Sequence, residues 1–256
     1  MKKGHRRLLG LIIPIIIVIA WYIATNYTDL PETILPKISS VFNTGIEMIK
    51  SGQLPNDIGI SIGRVLKGFV VSAIIGIVLG SLMGMSKTVE ALFLTTVTTI
   101  RQIPMIAWIP LIILWAGIGE TSKVIIIVIA AVFPILINTI SGISSTPKGL
   151  VEVSKLYKLS RWRTFTKVYL PHALPQILVG LKLGLGVSWM AVVASELIAA
   201  SSGIGYRMSE ARSLMRSDRV IVCMIFIGII GILMDKLISV VFARMTPWIK
   251  INSREN

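Results

Sequence analysis

The residues able to do chemistry in this chain are a few polar groups set inside long apolar runs. Arg101 and Gln102 stand side by side just before Pro104. A guanidinium beside an amide suits an anion or a polar solute. Proline removes a backbone donor and frees nearby carbonyls, which is tolerated at membrane depth only where protein or water satisfies them. Arg101, Gln102 and Pro104 therefore either face a translocation pathway or sit where Arg101 pairs with a neighbouring helix. Two further pairs emerge when depth is compared at about 1.5 Å per helical residue. Arg64 and Glu196 both fall in the outer third, and Lys182 and Asp235 fall together about 13 Å from the inner boundary. A lone charge in hydrocarbon is costly, so each pair is expected to close as an ion pair holding the bundle, with solute contact as the alternative.

Several chemistries are excluded. No G-x(4)-G-K-[ST] occurs, so the chain has no phosphate-cradling loop and cannot hydrolyse ATP alone. Gly203-Ile204-Gly205 lacks the third glycine and preceding strand of a dinucleotide loop, and reads as the hinge of an outer loop. His5 and His172 form no metal or nucleophile pattern. The single cysteine, Cys223, lies in an apolar run, where a thiol behaves as a small hydrophobe, and it can form no internal disulfide. No catalytic, cofactor or metal residues are expected, and the chain is not read as an enzyme. The formal charge of +14 raises nucleic acid as a partner, but the basic residues are scattered among apolar spans with few aromatics to stack on.

The elements that must position these groups are membrane helices. Hydrophobic residues make up 54% of the chain and charged ones 15%, against about 25% charged in soluble domains, and mean hydropathy is +0.81. A crossing needs about 20 apolar residues. Six spans are predicted: Leu8 to Thr25, Ile58 to Met85, Ala91 to Ala116, Val124 to Ile143, Leu174 to Ala200 and Val220 to Ala243. The third is interrupted by Arg101, Gln102, Pro104 and Pro110. The first is read as an uncleaved anchor, since no A-x-A signature follows its basic start; a signal peptide is the alternative. With both termini cytoplasmic, Lys87, the Lys148 to Lys167 cluster and Arg244, Lys250 and Arg254 obey the positive-inside rule, whereas Arg207, Arg212, Arg216 and Arg219 fall outside. Pro36 to Gln53 repeats Ile38, Val41, Phe42, Ile46 and Ile49 at helical spacing, predicting a helix on the outer membrane surface. Gly76, Gly80 and Gly84, and Gly180 and Gly184, permit close backbone packing.

Between spans four and five lies a basic, semi-polar island, residues 147–171. Leu150, Val153, Leu156 and Tyr157 form an apolar stripe on an otherwise basic helix, which a loop serving topology alone does not need. A short helix, a turn and a second short helix are predicted, contacting either water or another protein.

The island resembles a known signature. Glu152, Lys158 and Val168-x-Leu170-Pro171 are spaced like E-A-A-x(3)-G-x(9)-I-x-L-P in the permease subunits of binding-protein-dependent ABC importers. Arg101-Gln102-Ile103-Pro104, Trp108-Ile109-Pro110-Leu111, Gly117-Ile118-Gly119-Glu120, Trp189 with Glu196, and Gly203-Ile204-Gly205-Tyr206 resemble the sulfonate, nitrate, taurine and bicarbonate branch, over roughly residues 66–248. The resemblance implies an all-α polytopic bundle of the type I importer fold, one permease domain over residues 1–256 with a cytoplasmic coupling helix. It also implies a bacterial inner or plasma membrane. The implied partners are a cytosolic dimer of ABC ATPases that binds the ATP, an extracytoplasmic substrate-binding protein and a second permease copy, with lipid around them. Glu152, Val153, Ser154, Lys158, Leu170 and Pro171 would form the coupling segment. Arg101, Gln102, Pro104, Trp189 and Glu196 would line the pathway. A small organic anion such as a sulfonate, a nitrate-like ion or a heteroaromatic solute would be carried, by alternating access. The chain departs from the signature where Val153-Ser154 replaces A-A and Lys158 replaces glycine, at a cost of roughly 1 kcal/mol if that residue must take positive φ. An ion-gradient transporter and a structural membrane adaptor remain the competing readings.

Overall fold

The computed structural model describes residues 3–29 and 31–245, with side chains from residue 10 onward. The side chains of residues 1–9, His5 and the basic ones among them, and Trp248, Lys250 and Arg254 altogether lie outside what is described. Among those described there are only helices. They are α1 (Lys3–Tyr27), α2 (Ile38–Lys50), α3 (Gln53–Met85), α4 (Lys87–Ile100), α5 (Met105–Ala116), α6 (Glu120–Ser144), α7 (Lys148–Leu156), α8 (Arg161–Thr164), α9 (Leu170–Ala199), α10 (Ile204–Ser213) and α11 (Ser217–Met245), with a π-helical turn over Phe165–Tyr169. Among the described residues five stretches are long and apolar enough to cross a membrane, and α4 with α5 makes a sixth if counted as one bent span.

α6 is the centre, packed between α3 and α9. Glycines set how close they come: a Cβ on Gly80 would stand 2.8 Å from the Leu136 carbonyl oxygen of α6, and one on Gly184 2.8 Å from Ile135. Both predicted glycine seams thus lie against α6 within one chain. Ile126, Ile127, Ile135 and Leu136 are buried there. By contrast the apolar side chains of α1 from Leu11 to Ile19 are exposed, as suits a helix bathed in lipid.

One expectation is sharpened and one corrected. The interruption predicted in the third span is a break between two helices: α4 and α5 meet at 96° across residues 101–104, because Pro104 cannot continue the hydrogen-bond ladder and disfavours helix in the residue before it. The fifth does not start near Leu174. One helical stretch of 39 residues runs from Arg161 to Ala199, so the second half of the island is fused to the span. Ser160 starts it by accepting the Arg163 N–H. The Leu170 N–H then reaches back five residues to the Phe165 carbonyl, absorbing Pro171 in a π-turn without breaking the helix. At about 1.5 Å per residue this stretch is about 58 Å long, well beyond a hydrocarbon layer of about 30 Å.

The helix predicted on the outer surface is present as α2. Val41, Thr44 and Met48 are buried, Phe42 and Ile49 exposed, and Thr44 Oγ1 donates to Asp218 of α11 at 2.7 Å.

Candidate translocation and coupling sites

The bend between α4 and α5 opens a cavity of about 460 Å³. Arg101, Gln102 and Pro104 line it from the break, Trp108 from α5, Phe133 from α6 and Val187 from α9. Residues 101–104 are exposed and non-helical. The break at Pro104 thus gives the Arg101 and Gln102 side chains access to an open space. Among the described residues Arg101 forms no ion pair. The cavity wall is otherwise apolar, so the guanidinium meets little competition for a negatively charged solute group.

The pair Arg64 and Glu196 closes at 2.6 Å, and it is the buried heart of a larger network that reaches the surface at Glu120. The Arg64 fork also binds Glu120, with Nε 2.8 Å from Oε2, and the carbonyl oxygen and hydroxyl of Ser202. Ser61 Oγ lies 2.9 Å from both Glu196 oxygens and accepts the Ile204 N–H at 3.0 Å. The Gly205 N–H donates to Glu196 Oε2 at 3.0 Å, and the Gly203 N–H to Asp57 Oδ1 at 3.2 Å. The first N–H groups of α10, which carry partial positive charge, are therefore capped by carboxylates and a hydroxyl from α3 and α9. This explains Gly203-Ile204-Gly205. Gly203 has φ +105, and a Cβ there would fall inside the Glu196 carboxylate; one on Gly205 would lie 2.6 Å from the Val193 carbonyl oxygen. Further out, Arg207 Nε donates to Asp57 Oδ2 at 2.8 Å, and Arg207 also pairs with Glu210. Burial disfavours the Arg207 charge, but Asp57 and Glu210 outweigh it and hold the guanidinium above its usual pKa.

Glu196 thus sits 1% exposed inside a network away from the cavity, and Trp189 donates its Nε1–H to the Ile227 carbonyl of α11 at 3.0 Å. The structure brings Arg101, Gln102 and Pro104 together and sets Trp189 and Glu196 elsewhere. Lys182 and Asp235 lie 3.2 Å apart, joining α9 to α11. The partners missed from sequence are Glu120, Asp57, Ser61 and Ser202. Arg64 has five donors and Glu196 could not satisfy them alone, which was the available signal for Glu120.

α7 presents the predicted stripe to solvent: Leu150, Val153, Leu156 and Tyr157 are exposed, Leu156 by 81%. Glu152 is exposed beside them. Ser154 instead turns inward, 2% exposed, and donates to the Val151 carbonyl. Leu170 packs with Ile143, Ala173 and Ile177 of the bundle, while Pro171 is exposed. Lys158 takes φ +49, so it does occupy the left-handed position that glycine would favour. Its N–H bonds the Lys155 carbonyl at 2.9 Å and the Leu159 N–H bonds the Ser154 carbonyl at 3.0 Å, the pair of bonds that closes a helix C-terminus around a left-handed residue. Lys158→Gly is expected to keep this turn and stabilise it by about 0.5 kcal/mol, the relief of left-handed strain less glycine's greater unfolded-state entropy. A fall in the unfolding midpoint of the purified protein would contradict this.

Comparison with known proteins agrees with this architecture. The family model described as "Binding-protein-dependent transport system inner membrane component" matches residues 72–250. A protein of Methanocaldococcus jannaschii named as an ABC transporter permease is 39% identical over 244 residues, covering 93% of this chain and 91% of that one. A Bacillus subtilis protein named as an aliphatic sulfonates transport permease, SsuC, is 34% identical over 250 residues, covering 96% and 91%. The crystal structure of an amino acid ABC transporter shares the fold at TM-score 0.63 and 17% identity, covering 78% of this chain and 97% of that one. With its apolar helices, its exposed island and matches along nearly its whole length, the chain belongs to the inner-membrane permease subunits of binding-protein-dependent ABC importers, which are not themselves enzymes.

Proposed function

We propose that this permease carries a small organic anion past Arg101 and Gln102, and that α7 transmits the motion of a cytosolic ABC ATPase to that path. The observation carrying the first half is the cavity at the α4–α5 bend, whose wall places one cation and one amide among apolar side chains. Such a wall suits a solute with an anionic head and an apolar body, and a relative is named for aliphatic sulfonates. The second half rests on the exposed stripe Leu150, Val153, Leu156 and Tyr157, an apolar patch on a basic helix that would be costly to leave in water. In this reading the termini and α7 are cytoplasmic, a binding protein delivers solute to the outer side near α10, and two copies of the chain surround the path. Binding and hydrolysis of ATP by the partner shift the pair between outward-open and inward-open states.

Arg101→Ala is expected to lower solute uptake into reconstituted vesicles at least about tenfold, one lost charge-assisted contact being worth about 1.5–3 kcal/mol. Assembly with the ATPase and binding protein should be unchanged, since Arg101 is exposed and not part of the packing. Unaltered uptake by an assembled Arg101→Ala complex would refute the anion path.

A further inference from the structure

The threonines of α4 were not absorbed by the sites above. Thr88, Thr95, Thr96 and Thr99 are all exposed. At 3.6 residues per turn, Thr88, Thr95 and Thr99 fall within about 40° of one another, and the face they share ends at Gln102. A hydroxyl on a helix in hydrocarbon normally bonds back to the carbonyl one turn earlier, because nothing else is available there. Thr98 does so to Leu94, Thr139 to Ile135 and Ser188 to Gly184. Thr95, Thr96 and Thr99 do not; among the described residues their hydroxyls have no partner in the chain. Three exposed, unbonded hydroxyls on one helix facing acyl chains would each carry a desolvation cost with nothing to offset it. Their position is also ordered. Lys87 starts α4 at the end of α3, and the row rises from there about 21 Å to the mouth of the Arg101 cavity.

We infer that this hydroxyl face of α4 lines the inner half of the solute path, a water-filled slide from the Arg101 cavity to the cytoplasm. The inference rests on the reading of Arg101 and Gln102 as the path's polar contacts and extends it to residues that would take over the solute after it leaves them. Neutral hydroxyls suit that step. They can donate to an anion without holding it as a second arginine would, so the solute is solvated on its way out and not trapped.

The test uses the assembled transporter, with its ATPase, in inside-out vesicles. Cys223 is the chain's one cysteine and is buried, so Cys223→Ser gives a permease free of thiols, whose labelling is read on the separated permease band. Thr95→Cys and Thr99→Cys should react with a membrane-impermeant sulfonated thiol reagent at least about tenfold faster than Phe93→Cys, which projects from the other side of α4. If Thr95→Cys and Thr99→Cys are no more reactive than Phe93→Cys, the face meets lipid or protein and the inference is overturned. Arg101→Ala uptake, measured in right-side-out vesicles loaded with ATP and given the binding protein outside, separates the two claims. Fast labelling with unchanged Arg101→Ala uptake supports the water-lined face and refutes the anion contact; slow labelling with lost uptake does the reverse.

Discussion

Arg64→Ala is expected to destabilise the permease by about 3–5 kcal/mol, the usual cost of removing one partner from a buried charge pair. Glu196 would stay 1% exposed with its opposite charge gone, and both Glu120 and Ser202 would lose their donor. The strained start of α10 depends on that carboxylate staying in place, since Gly205 N–H and Ser61 both bind it. Arg64→Lys should recover only part of the loss, because a single ammonium cannot span two carboxylates and a carbonyl as the planar fork does. Arg64→Met combined with Glu196→Gln should be milder than Arg64→Ala, having removed the orphaned charge. Thermal unfolding of the detergent-purified chain gives the ranking. An Arg64→Ala cost below about 1 kcal/mol would show that water already reaches the network.

Leu156→Asp is expected to cut recovery of the ATPase with the permease by tenfold or more while leaving the permease's unfolding midpoint within about 1 °C. The asymmetry follows from exposure. Leu156 is 81% exposed and makes no packing that the bundle needs, whereas at an interface a carboxylate there would be desolvated in an apolar partner pocket with nothing to pair with. Glu152→Ala should act in the same direction and more weakly, as one exposed carboxylate at a docking edge. Its neighbour Ser154 separates the explanations: it is 2% exposed, so Ser154→Leu should disturb the fold and not docking alone. Undiminished co-purification by Leu156→Asp would remove α7 as the contact.

Much of this was readable from residues because membrane helices obey one ruler. A fixed rise per residue put Arg64 level with Glu196 and Lys182 level with Asp235 before any packing was known, and both pairs close within 3.2 Å. Pro104 announced an interruption in the third span but not its 96° bend, which depends on how α5 finds α6 and α9. The capping of α10 was hidden for a related reason. Asp57 and Ser61 lie about 140 residues away in sequence, with |i−j| of 146 and 143 to their backbone donors, and no local pattern reports such an apposition. The fusion of the island with the fifth span was missed because the island was ended at Pro171 and the span begun at Leu174, whereas the π-turn lets the helix pass through.

That uninterrupted helix has a mechanical consequence. Arg161 stands at one end of it and Glu196 near the other, so the basic segment following α7 and the buried network capping α10 belong to a single stiff rod. If the rod pivots where Gly180 and Gly184 press on α6, a tilt of about 10° swings each end by about 5 Å in opposite directions. A displacement of that size is as large as a helical turn, and it needs no relay of side-chain contacts through the bundle.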